Sequence, residues 1–106
     1  MAKFMVQASY TAEGLRGLAK DKASGRKAAV QAAIKSLKGK LESFHFSFGD
    51  EDVVLIVDMP DNISAAAISL MAGATGLVRL KTTPLLTVDE ADQALALQGK
   101  YRAPGQ

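Results

Sequence analysis

The chain has 106 residues, 48% of them hydrophobic and 23% charged, no cysteine, and a formal net charge of +2. That balance suits one folded domain spanning residues 1–106, and it excludes a disordered chain, a disulfide scaffold and any thiolate metal site or cysteine nucleophile. The N-terminal stretch lacks the apolar core of a signal peptide, and no apolar run nears the roughly 18 residues that cross a bilayer, so a cytoplasmic protein without membrane contact is expected.

From Lys3 to Tyr10 the side chains alternate, with Phe4, Val6, Ala8 and Tyr10 on one parity and Lys3, Met5, Gln7 and Ser9 on the other, which predicts a strand. Thr11 to Asp21 carries Leu15 and Leu18 at helical spacing. It also carries Gly14 and Gly17, each disfavoured by about 1 kcal/mol against alanine in a helix interior, so a short weak helix or a structured loop is expected. Ser24 then offers an N-cap for a main helix whose apolar stripe, from Ala28 to Leu37, stops at Gly39, read as its C′ residue. Lys40 to Phe48 returns to period two, with Phe44, Phe46 and Phe48 opposed to Ser43, His45 and Ser47.

Gly49-Asp50 supplies a turn, and Asp52 to Met59 follows as a strand apolar at both parities, expected to be central and buried on both faces. Pro60, Asp61 and Asn62 break it and can cap a helix from Ile63 to Ala72, so the sequon Asn62-Ile63-Ser64 reads as a cap. Leu77 to Thr83 predicts a fourth strand with Arg79 and Lys81 on one face, ended by Pro84. Thr87 and Glu90 have capping-box spacing and open a last helix through Leu97, leaving residues 98–106 as a mobile tail.

The order β, α, β, β, α, β plus a terminal helix is that of an α+β, ferredoxin-like domain with a four-stranded antiparallel sheet. Two helices cover one face of such a sheet. A third strand apolar on both sides therefore needs a second copy of the chain against its open face, and a homodimer or higher homo-oligomer is expected.

Three stretches carry a resemblance: Val6-Gln7-Ala8-Ser9-Tyr10-Thr11-Ala12-Glu13-Gly14; Phe48-Gly49-Asp50-Glu51-Asp52-Val53-Val54 running into Val57-Asp58-Met59-Pro60-Asp61-Asn62; and Lys81-Thr82-Thr83-Pro84-Leu85-Leu86-Thr87. Together they resemble the GYD-domain family over nearly the whole chain. The resemblance implies a dimeric α/β barrel in which two ferredoxin-like sheets face each other around a cavity, and it implies no particular biochemical function. The sequence departs from the family signature at Glu51, where relatives carry a tyrosine before the last aspartate of the hairpin, and at His45, where relatives often have an aromatic residue.

His45, the single histidine, has the side chain best suited to proton transfer near neutral pH. With Ser43 on its parity it can line a cavity, or it can be an edge-strand histidine half exposed to water. Gln7 and Ser9 share a face of the first strand and Arg79 and Lys81 a face of its neighbour. Together with Tyr10, Asp58 and His45 they form a candidate site for a small anion, or else a rim of interface charges. Asp50, Glu51 and Asp52 match no metal-loop spacing and read as a solvated turn, with Asp52 accepting backbone hydrogen bonds across it, so neither a metal nor a cofactor is expected. The lysines and arginine from Lys20 to Lys40 lack interleaved aromatics and read as a solvated helix face, not a nucleic-acid stripe. The leading functional expectation is an oligomer binding a small organic ligand between facing sheets. The alternatives are a cofactor-independent oxygenase or isomerase using His45 or Tyr10, and a purely structural interaction module.

Overall fold

In the computed structural model, which describes all 106 residues, the chain runs β1 (Ala2–Tyr10), α1 (Ala12–Ser36), β2 (Lys40–Phe46), β3 (Val53–Met59), α2 (Asn62–Gly73), β4 (Val78–Leu85) and α3 (Val88–Ala96). The strands form one antiparallel sheet in the order β2-β3-β1-β4, a ferredoxin-like α+β arrangement. Strand periodicity sorts its two faces. Phe4, Val6 and Ala8 of β1 and Val53, Leu55, Val57 and Met59 of β3 are buried with Ile34 of α1 and Ala65 of α2. On the opposite face Val54, Ile56 and Asp58 stay half-buried, so within one chain β3 is buried on one side only.

Several details differ from the sequence expectation, while the helix expected as one alternative over Thr11 to Asp21 is present: Thr11 Oγ1 accepts from Gly14 N at 3.1 Å, and this helix merges with the main helix as α1 across one break at Lys22, whose φ of 65° and ψ of 165° are non-helical. Ser24 therefore lies inside α1 and does not cap it. Gly14 is present because a Cβ there would collide with the Leu77 carbonyl oxygen, which also accepts from Thr11 N at 3.0 Å. This backbone crossing joins residues far apart in sequence.

At the other end of α1 the left-handed residue is Lys38, with φ 64°, and not Gly39. Lys38 N donates to Lys35 O at 2.9 Å and Gly39 N to Ile34 O at 3.0 Å, a Schellman ending. Gly39 instead permits close packing, since a Cβ there would strike Met59 Sδ. In β2, which ends at Phe46, the register shifts between Leu41 and Ser43 and leaves Glu42 as the extra residue of a bulge. β4 passes through Pro84 to Leu85, because it is an edge strand and a missing N–H on the outer side breaks no ladder bond.

The expected capping box at Thr87 forms, and the Asp61 cap is a second one. Asp61 Oδ1 accepts from Ser64 N at 2.8 Å, and Thr87 Oγ1 accepts from Glu90 N at 3.1 Å while Glu90 Oε1 accepts from Thr87 N at 2.9 Å. α3 nevertheless has no buried residue, and its Val88 and Leu95 are exposed. The radius of gyration is 16.8 Å, against about 13 Å for a compact chain of this length. The accessible surface of 7675 Å² likewise exceeds the about 5,700 Å² expected of a compact 11.2 kDa monomer. No helix is long and apolar enough to cross a membrane.

Two measurements follow. Gly14→Ala lowers the unfolding free energy by about 1–3 kcal/mol in urea titrations through overpacking, whereas Gly17→Ala, with open space around its Cβ, raises it by about 0.5–1 kcal/mol. The hydrogen bonds from Ser64 hold the Asp61 carboxyl below its ordinary range. Its contribution is therefore complete above the unfolded carboxylate value near ~4 and lost as pH falls through the lower folded value. Melting temperature should accordingly drop less steeply from about pH 5 to about pH 3 in Asp61→Asn than in the parent.

Candidate functional site

Cross-strand register settles which polar residues share the face left open by α1 and α2. His45 pairs with Val54, Val54 with Gln7 and Gln7 with Lys81, making one row across all four strands. The next row is Ser43, Ile56, Met5 and Thr83. Ser9 lies opposite Arg79, and Asp58 opposite Lys3. Gln7, Ser9, Ser43, His45, Asp58, Arg79 and Lys81 thus occupy one face, around a half-buried aliphatic strip of Met5, Val54 and Ile56. At about 4.8 Å per strand spacing, His45 and Lys81 stand roughly 14 Å apart across the sheet.

The face divides into three parts. At the β1–β4 end a 270 Å³ pocket is lined by Ser9, Glu51, Arg79, Leu80 and Lys81. Ser9 Oγ donates to Glu51 Oε2 at 2.8 Å, with the Asp50 carbonyl at 3.2 Å, so a carboxylate is held beside two exposed cations. Arg79 and Lys81 can take an anionic group there, while Glu51 can accept from a hydroxyl or amine on the same molecule. At the opposite end Lys3 Nζ bonds Glu42 and reaches Asp58 Oδ1 at 3.1 Å. Glu42, followed by Asp58, raises the ammonium's pKa, and Asp58 is thereby occupied within the chain. Third, His45 is exposed on the edge strand, and the neighbouring Ser47 hydroxyl bonds the Glu51 carbonyl.

Tyr10 does not join this group. It follows the parity of Phe4, Val6 and Ala8, and its side chain lies on the helix-covered face beside Arg26. Burial raises the phenol's pKa and the Arg26 guanidinium partly opposes the shift. With His45 on the other side of the sheet, the two cannot serve one reaction centre. Asp52 takes the backbone role expected of it, although its donor is Tyr10 N at 2.8 Å on β1 and not a residue of the turn itself.

Sequence reasoning missed Glu51, read only as part of a solvated turn. Its partner Ser9 is 42 positions away, and the sole signal was the departure from the GYD signature at this position.

A family model described as GYD domain matches residues 4–95, which take in β1 from Phe4 onward, the rest of the sheet, α1, α2 and nearly all of α3. No curated protein and no solved structure matches the chain.

Removing the Asp52 carboxylate leaves the Tyr10 N–H without its partner. Asp52→Ala is expected to lower stability by about 1–3 kcal/mol in urea unfolding. Asp52→Asn, which keeps an acceptor oxygen, should retain most of that stability.

Proposed function

The chain belongs to the GYD-domain family, and from that premise we propose that it is a homo-oligomeric binding protein whose open sheet faces meet and enclose a small organic anion. The carrying observation is the half-exposed strip of Met5, Val54 and Ile56 at the centre of that face, bordered by Gln7, Lys81 and Arg79. Aliphatic side chains left in water at the middle of a sheet favour a second apolar surface, each contributing about 1.5–3 kcal/mol when covered. The excess accessible surface and the unpartnered apolar side chains of α3 support the same reading. A dimeric barrel of two facing sheets is the assembly that satisfies them.

In this assembly the Ser9, Glu51, Arg79 and Lys81 pocket opens into the enclosed space. Arg79 and Lys81 hold the anionic end, and Glu51, fixed by Ser9, selects a ligand that also carries a donor. Binding is favoured over catalysis by the separation of His45 from this cluster, since a base must come within hydrogen-bond reach of the reacting group.

Native mass spectrometry of gently purified protein should show a dimer or a multiple of it carrying additional small-molecule mass. Ile56→Arg should give monomer, and the double variant Arg79→Ala/Lys81→Ala should keep the assembly and lose the added mass. A bare monomer from the parent chain would overturn the reading.

A further inference from the structure

The helix-covered face holds a second opening, independent of the Ser9, Glu51, Arg79 and Lys81 pocket on the open face. Leucine and valine side chains of β1, β3 and β4 floor it, α1 leans on β2 and α2 on β4, and the space between the helices is a cavity of 250 Å³. Of its sixteen lining residues fifteen are hydrophobic, among them Val6, Leu55, Val30, Ile68 and Leu80. The exception is Arg26, half-buried at the rim beside Tyr10. Arg26 takes part in neither of the chain's ion pairs, both of which belong to Lys3. Asp21 and Arg26 line an adjoining groove without forming such a pair.

An apolar cavity of this size is a sizeable liability if empty, since its lining forfeits contacts on one side. One guanidinium fork and one phenolic O–H at its mouth match a planar carboxylate, which accepts two parallel N–H bonds and a third from the hydroxyl. The volume lies below that of a drug-sized pocket, which limits the occupant to a short apolar body. We propose that this cavity is a binding site for a small apolar carboxylic acid, with its body between α1, α2 and the sheet and its carboxylate between Arg26 and Tyr10. Lys22, four residues before Arg26, is in a region of φ and ψ that only glycine adopts freely, and the part of α1 that follows this break supplies Arg26, Val30, Ala33 and Ile34 to the cavity.

Octanoate is the probe and 1-octanol its neutral counterpart. Titrated into the full-length protein at pH 7, octanoate should shift the side-chain methyl signals of Val30, Ile68 and Leu80 while leaving those of Val54 and Ile56 on the open face in place. Its affinity should exceed that of octanol by about tenfold or more. Arg26→Gln should abolish that difference without weakening octanol, and Arg26→Lys should restore part of it. Ile68→Trp, which fills the space, should remove both ligands, with circular dichroism confirming the fold of each variant. Lys81→Ala should leave octanoate binding unchanged, which separates this site from the open-face one. Equal affinity of parent and Arg26→Gln for octanoate, or methyl shifts confined to Val54 and Ile56, would overturn the proposal.

Discussion

Asp52 stands where three strands converge, and the rest of the molecule inherits its register. Its N–H donates to Ala8 O at 2.8 Å, its carbonyl accepts from Ser47 N at 2.8 Å, and its carboxylate accepts from Tyr10 N at 2.8 Å. Because the side-chain period in a strand is two, a slip of one residue would move every apolar side chain of β3 to the opposite face. With three bonds at one residue, Val53, Leu55, Val57 and Met59 point to the helices and Val54 and Ile56 away from them. The acidic turn therefore fastens β3 between its two neighbours, and Glu51, next to it, is placed within reach of Ser9.

From this sorting come two surfaces of different chemistry. The helix side is almost wholly apolar with one guanidinium at its margin. The open side sets a central aliphatic strip among polar and ionic groups, with its carboxylates already engaged by Lys3 or Ser9 and its cations Arg79 and Lys81 outside any ion pair. A chain with ten buried residues in 106 does not have the interior of a compact monomer. What it lacks in burial is concentrated at the aliphatic strip of the sheet, at α3 and at the gap between α1 and α2.

The sheet was legible because its signal is local. Alternation in β1 and in Phe44 to Phe46 identified the strands, and the same parity already grouped Tyr10 with Phe4 and away from Gln7, so its inclusion with the open-face residues ran against the pattern of its own strand. The helix starting at Ala12 was harder to read, because Gly14 is dictated by a carbonyl on Leu77, and propensity cannot see a crossing of that span. Gly39 was read as the left-handed residue on composition alone, while Met59 across the core supplies the actual reason for it. Pro84 was read as a stop because a proline is one inside a sheet; at an edge it is not. The bulge at Glu42 has no sequence signature, yet it leaves this carboxylate bonded to Lys3.

The two outer strands also limit what another strand could add at the margins of the sheet. β2 carries a bulge and β4 a proline, and both bear lysines, features that spoil the straight row of free N–H and C=O groups another strand would need. Lateral extension of the sheet is thus discouraged at both margins, while its broad face stays available. Edge-to-edge growth into ribbons is thereby disfavoured even though Met5, Val54 and Ile56 stay half-exposed on the face.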